Sequence, residues 1–166
     1  MKSKIAKSKG RLYRDEIAKA GRQGVLPEII IYKRLIVNTM TTQVPKDLCK
    51  QILEFDKTIR FAGIADKFGK IVMAGYRKGS VPLLSKEESV LSFMQTSIRM
   101  GTRKTMQAKL GKIVYAFALY EKVKRVTIPL SNYSVLMSSF DIEADHESII
   151  SKKILPLVKK HGLSRD

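Results

Sequence analysis

In TIRFAGIADKFGKIVMAGY (58–76), two apolar runs flank a short polar turn. Ile59, Phe61 and Ala65 alternate with Arg60 and Asp66, the period-two pattern of a strand with one buried face. DKFG (66–69) supplies turn residues, and Gly69 is free to take a positive φ without a Cβ penalty. IVMAGY (71–76) then reads as a second strand, so the segment is an antiparallel hairpin.

Helical spacing begins on the N-terminal side of this hairpin. Pro45 suits a first helical turn, and Leu48, Ile52 and Phe55 recur four and three apart, predicting a short helix over 45–56. On the C-terminal side, Gly79 and Pro82 stop the second strand. Ser85 and Glu88 have the spacing of a capping box, which predicts a long helix from Lys86 to about Lys109. Its apolar stripe, Val90, Leu91, Met94, Ile98, Gly101, Thr105 and Ala108, is expected to face the sheet. Gly101 within that helix marks close packing or a weak point.

Three strands follow without an intervening helix. KIVYAFALYE (112–121) is almost continuously apolar, which predicts burial on both faces. RVTIPL (125–130) alternates, and Pro129, which has no N–H to donate, belongs at an edge or a strand end. SNY (131–133) is the turn and SVLMSSFDI (134–142) the fifth strand. Asp145 offers an N-cap to a last helix over 146–161, with Ile149, Ile150, Ile154, Leu157 and Val158 as its apolar face and Gly162 as its stop. Pro156 is positioned to bend it. The predicted class is therefore α+β, in the order αββαβββα.

The 166 residues are 44% hydrophobic and 28% charged, ordinary values for one globular domain. The single cysteine, Cys49, excludes an internal disulfide. No apolar run approaches the roughly 20 residues that span a bilayer, and no cleavable leader pattern follows the basic N-terminus, so the expected compartment is the cytoplasm. The outlier is a net charge of +17, which favours polyanions and acidic surfaces as partners and makes nucleic acid one candidate.

Residues 1–39 hold ten of the 32 Lys and Arg residues against three acids (Asp15, Glu16 and Glu28). They read as a basic extension, disordered or loosely docked, ahead of a domain over 40–166. Within the extension, VLPEIIIYKRLIV (25–37) suits a docked strand, a docked helix or a membrane-surface segment. Met40, followed by TTQVPKDLCKQILEF, itself reads as a protein start.

The element order and the hairpin FAGIADKFGKIVMAGY (61–76) resemble the roadblock/LC7 domains of the profilin-like group. VPLLSKEES, IRMGTRKT and YAFALYEKVKRVTIPL are also similar to a small archaeal family without an established activity. The roadblock resemblance implies a five-stranded antiparallel sheet with the long middle helix on one face and the terminal helices on the other. It also implies a homodimer formed through the third strand and the middle helix, with Val114, Ala116, Ala118, Tyr120, Ile98 and Met94 as candidate interface residues, and a scaffold or regulator of a small GTPase. PAS-type sensor domains share much of this order; such a sensor would need a cavity between sheet and helix, which Phe61, Phe117 and Phe140 are large enough to fill.

Chemistry-bearing clusters are sparse. Cys49 reads as a structural thiol, since reactive thiols need an exposed electropositive setting. Asp141, Glu143, Asp145, His146 and Glu147 follow no metal-ligand spacing and read as capping plus solvated charge. His161 suits a helix C-terminus. Arg99, Arg103 and Lys104 on the middle helix, with Lys122, Lys124 and Arg125 after the third strand, form a candidate basic patch for phosphate groups or an acidic partner, against the plainer reading of a solvated face. No phosphate loop, paired catalytic carboxylates or Ser-His-Asp pattern is present, and no residue set points to a cofactor, so the expected function is a non-enzymatic interaction module.

Overall fold

The hairpin forms as read, with strand β1 over Ile59–Ala65 and β2 over Ile71–Tyr76, paired antiparallel. The computed structural model describes residues 44–131 and 133–164; the extension predicted for residues 1–39 lies outside the described residues. Asp66 organises the turn. Its carboxylate accepts from the backbone N–H groups of Phe68 and Lys70 at 2.9 and 3.0 Å, and Gly69 adopts φ +83°.

Helix α1 spans Leu48–Glu54. It starts later than predicted, because Pro45 closes a turn onto the Leu48 N–H instead of entering the helix. Helix α2 runs Lys86–Lys104 and opens on the predicted capping box: the Glu88 N–H donates to Ser85 Oγ at 3.2 Å, and the Ser85 N–H donates to Glu88 Oε2 at 2.7 Å. It ends at Thr105, and a separate short helix, α3 (Gln107–Leu110), replaces the continuous run to Lys109. Strands β3 (Ala116–Leu119), β4 (Lys124–Pro129) and β5 (Val135–Phe140) complete the sheet, with Pro129 as the last residue of its strand.

The sheet order is β2-β1-β5-β4-β3, antiparallel throughout. The terminal helix is built in three pieces: α4 (His146–Ile149), a π-helical turn (Ile150–Ile154) and α5 (Leu155–Lys160). The wider turn lies directly before Pro156, whose ring would press on the carbonyl four residues back in a regular α-helix; here the Leu155 N–H reaches instead to the Ile150 carbonyl. Asp145 caps α4 as predicted, accepting from the Ser148 N–H at 3.1 Å.

Two unequal cores sandwich the sheet. The larger joins Leu48 and Ile52 of α1, Ile59, Ala62 and Ile64 of β1, Leu136 and Phe140 of β5, and Ile149, Ile150, Ile154 and Val158 of the terminal helix. The smaller, under α2, holds Ala65, Phe93, Met100, Val135 and Met137, with Phe61 partly buried against them. Full burial of a Leu, Ile or Phe side chain stabilises by about 1.5–3 kcal/mol, so the α1/terminal-helix face carries most of the stability. A β-bulge between Ile59 and Phe61 reverses the side-chain alternation, so these two residues serve opposite cores where the simple alternation had placed them on one face.

Where α1 hands over to β1, the Thr58 backbone N–H and then its hydroxyl donate to Asp56, which holds that carboxyl below the usual carboxylate range. Lys153 of the π turn lies 3.6 Å from the same carboxylate and donates to the Phe55 carbonyl at 2.6 Å, tying the terminal helix to α1.

Cys49 is 7% exposed in the larger core, and burial pushes its thiol up to about 12. The folded protein is therefore expected to resist a thiol-specific reagent at pH 8 and to react once per chain when unfolded. A raised pKa has a stability consequence of fixed sign. Below pH 9.0, the ordinary value, both states hold the proton and nothing is lost; above it the unfolded thiol ionises first and stability falls as pH climbs toward 12.

Candidate functional site

Helix α2 buries little of itself. Only Phe93, Thr96 and Met100 are buried, on the side that faces the sheet. Gly63 makes this packing feasible, since a Cβ there would come within 2.6 Å of the Phe61 ring and 2.8 Å of the Phe93 ring. The predicted sheet-facing stripe points outward instead: Val90, Leu91, Met94 and Ile98 are all exposed, Ile98 by 68%, and a Cβ at Gly101 would meet open space. Helical periodicity is satisfied by either set. The single large ring of Phe93, fitted over Gly63, outweighs four medium apolar residues.

β3 also departs from the sequence reading. Among the described residues its four residues pair only with β4, as the outer strand of the sheet, and Phe117 and Leu119 are exposed, not buried on both faces. Of the candidate interface residues, Ala116 and Ala118 lie on this strand and Tyr120 just beyond it, while on α2 Ile98 stands on the outer face and Met94, partly exposed, packs over Gly69 of the β1–β2 turn. Val114 precedes the strand and lines a separate groove beside Leu155 and Pro156 of the terminal helix. A groove of about 550 Å³ lies between the start of α2 and the turn after β3, with Leu84, Leu91 and Gln95 on one side and Tyr120, Val123 and Arg125 on the other.

The candidate basic patch divides. Arg99, Arg103 and Arg125 converge on a second groove of about 260 Å³ between α2 and β3, shared with Thr96, Ala118 and Thr127. Arg125 donates to Ser92 Oγ at 2.9 Å and Arg99 to Thr96 Oγ1 at 3.1 Å. The lysines go elsewhere. Lys104 sits over the Tyr133 ring at 4.1 Å, Lys124 donates to the Ala144 carbonyl at 2.8 Å, and Lys122 lines the apolar groove.

The acidic run disperses into structural roles. Asp141 bridges Arg60 at 2.6 Å and Arg77 at 3.2 Å, and Arg60 also donates to the Val81 carbonyl, fastening the segment that leads into α2. His146 stacks on Phe117, with ring centroids 4.2 Å apart. Among the described residues no group of three or more His, Cys, Asp or Glu side chains is placed to hold a metal ion. Where Phe93 of α2 packs on the sheet, the pocket walled by Phe61, Phe93 and Met137 is about 60 Å³, whereas Phe140 fills the opposite core and Phe117 stacks on α4. Pockets for drug-sized ligands run about 300–1,000 Å³, so that space does not suit a sensor ligand. Among the described residues, no helix is long and apolar enough to cross a membrane.

No family model and no curated protein matches the sequence. Solved structures do match the fold. A roadblock/LC7 domain from Streptomyces avermitilis superposes with TM-score 0.55 at 11% identity, covering 68% of this chain and 90% of that one. The gliding protein MglB of Thermus thermophilus gives TM-score 0.51 at 14% identity, covering 70% and 78%. A further structure, described as MglB with tetrameric arrangement, gives 0.51 at 15% identity, covering 70% and 77%. With the five-stranded antiparallel sheet, the long middle helix on one face and the terminal helices on the other, this chain has the roadblock/LC7-like fold.

Proposed function

We propose that this chain is a protein-interaction module that pairs with a second copy through the outer face of α2 and the β3 edge, and that the pair docks a protein partner, a small GTPase being the class the roadblock resemblance suggests. The supporting observation is the coincidence of two unsatisfied surfaces. Leu91 and Ile98 on α2 are exposed, Leu91 in one groove with Tyr120 just past β3, and among the described residues the outer backbone N–H and C=O groups of β3 have no ladder partner and its Leu119 is 64% exposed. An apolar free edge of this kind invites a further strand. Pairing β3 with its own copy would satisfy the edge and cover both apolar sets at once.

The charges on α2 favour one orientation. Glu87 and Glu88 occupy its first turn, while Arg99, Arg103 and Lys104 occupy its second half. Antiparallel pairing of two α2 helices brings opposite charges together, and parallel pairing stacks like on like. A nucleic-acid reading is less well supported, because Lys104 sits over the Tyr133 ring and Lys124 is held by the Ala144 carbonyl, which leaves Lys122, beside Arg125 in the larger groove, as the one lysine of the candidate patch that extends the arginine cluster.

Light scattering on the full chain at micromolar concentration is expected to give the mass of two copies. Ile98→Glu should raise the dissociation constant at least about tenfold, since a two-fold interface carries the substitution twice, and leave the far-ultraviolet circular dichroism unchanged. A wild-type chain that stays monomeric throughout that range would sink the proposal.

A further inference from the structure

We infer that Arg99, Arg103 and Arg125, with the hydroxyls of Thr96 and Thr127, form a binding site for the phosphoryl group of a small anionic ligand. The site is built within one copy of the chain; antiparallel α2 pairing would bring Glu87 and Glu88 of a second copy toward Arg99 and Arg103, so the two readings compete for these side chains.

A solvated face spreads its charges and pairs them with nearby acids. This cluster does neither. Three guanidiniums from two elements, α2 and β4, line one groove, and none of them has a carboxylate partner among the described residues. Among the described residues no acidic residue lines that groove; Glu88 and Glu121 line the adjoining larger one, which Arg125 also borders. Guanidinium stays charged at every accessible pH, so the repulsion among the three cannot be relieved by proton loss. An oxyanion relieves it.

The geometry suits a phosphoryl group. Arg125, half-buried, is held by Ser92 Oγ, and Arg99 by Thr96 Oγ1, each through one terminal nitrogen. Both forks are therefore held in place with donors to spare, the arrangement that recognises phosphate oxygens in pairs. Thr96 is only 4% exposed, and it accepts the Arg99 N–H while retaining its own O–H. Ala118 stands directly across the β3–β4 ladder from Arg125, and Ala116 across from Thr127. These small side chains keep the groove open. At about 260 Å³ it falls below the size that takes drug-like ligands and suits a phosphoryl group with a modest substituent.

The test is a titration of the full chain with inorganic phosphate, against sodium chloride of matched ionic strength, followed by amide chemical shifts and thermal melting. Phosphate is expected to shift residues around the groove with a millimolar dissociation constant and to raise the melting temperature. The double variant Arg99→Gln/Arg103→Gln should weaken binding at least tenfold, and so should Arg125→Gln. Lys78→Gln/Lys160→Gln, with the same loss of charge on exposed positions away from the groove, should not. The double variant changes only exposed side chains, so it remains informative if Arg125→Gln fails to fold.

A parallel arm uses phosphatidylcholine vesicles with and without phosphatidic acid. Arginine-dependent binding to the phosphatidic acid vesicles alone would support the site and assign its ligand to a lipid headgroup. Equal responses to phosphate and chloride, or equal phosphate binding by wild type and the arginine variants, would overturn the inference and leave only screening of a +17 chain. It would equally be overturned if the arginine variants dissociated the dimer while phosphate had no effect, because the cluster would then be receiving a carboxylate from the second copy.

Discussion

Replacing Gly69 with alanine is expected to destabilise the domain by about 3 kcal/mol, read as a lowered denaturant midpoint at unchanged slope. Two effects add at this position. The residue sits at φ +83°, where an L side chain costs about 1–2 kcal/mol, and it is buried beneath α2, where a Cβ would lie 2.5 Å from the Met94 Cα. A flexible side chain could swing aside, but helix backbone cannot, so either the β1–β2 turn or the helix has to move. Gly79 separates the two contributions, since its φ is +81° but a Cβ there meets nothing within 4 Å. Gly79→Ala should therefore carry the conformational penalty alone, about 1–2 kcal/mol, and the remainder at Gly69 measures how firmly α2 is seated. Equal losses at the two glycines would show that α2 yields freely.

That turn is also the part of the molecule most legible in the sequence, for the same reason. Asp66 and Gly69 act within five residues of each other, through bonds and a dihedral angle that no distant element alters. The capping box at Ser85 and Glu88 and the cap at Asp145 are local in the same sense, and both formed as read. The errors lie where one chemistry serves two purposes. Leu91, Met94 and Ile98 make a proper helical stripe, and β3 is apolar enough for burial, but apolarity records that a surface wants covering and not what covers it. Position relative to the sheet was settled by the fit of Phe93 over Gly63, a three-dimensional match without a one-dimensional signature.

The candidate sites follow the same division. Arg99 and Arg103 are four residues apart on a helix, so their shared face could be read directly. Arg125 reaches them only because β4 lies next to the outer strand, and Lys104, adjacent in sequence to Arg103, turns away to Tyr133. The acidic run at 141–147, read as capping plus solvated charge, is a cluster in the sequence only. Folding sends Asp141 to two arginines across the sheet and Asp145 to a helix N-terminus. The bulge at Arg60, which gives Ile59 and Phe61 to different cores, has no sequence mark at all.

Phe140 and Phe117 put this distinction to a quantitative test, because the two residues look interchangeable in the sequence. Phe140 is fully buried in the larger core, and truncation to alanine is expected to cost about 4 kcal/mol through lost burial and a residual cavity. Phe117 is 40% exposed on the outer strand and held chiefly by its stack on His146, so Phe117→Ala should cost an isolated copy about 1 kcal/mol. If β3 pairs with a second copy, however, Phe117 gains contacts that Phe140 does not, and association adds to stability by mass action. Denaturant midpoints measured across a range of protein concentrations distinguish the two roles. Phe140→Ala should lower the midpoint equally at every concentration, whereas Phe117→Ala should flatten its rise with concentration. A wild-type midpoint that does not rise with concentration would mean that no second copy covers the strand, and the apolar edge would then need a different partner.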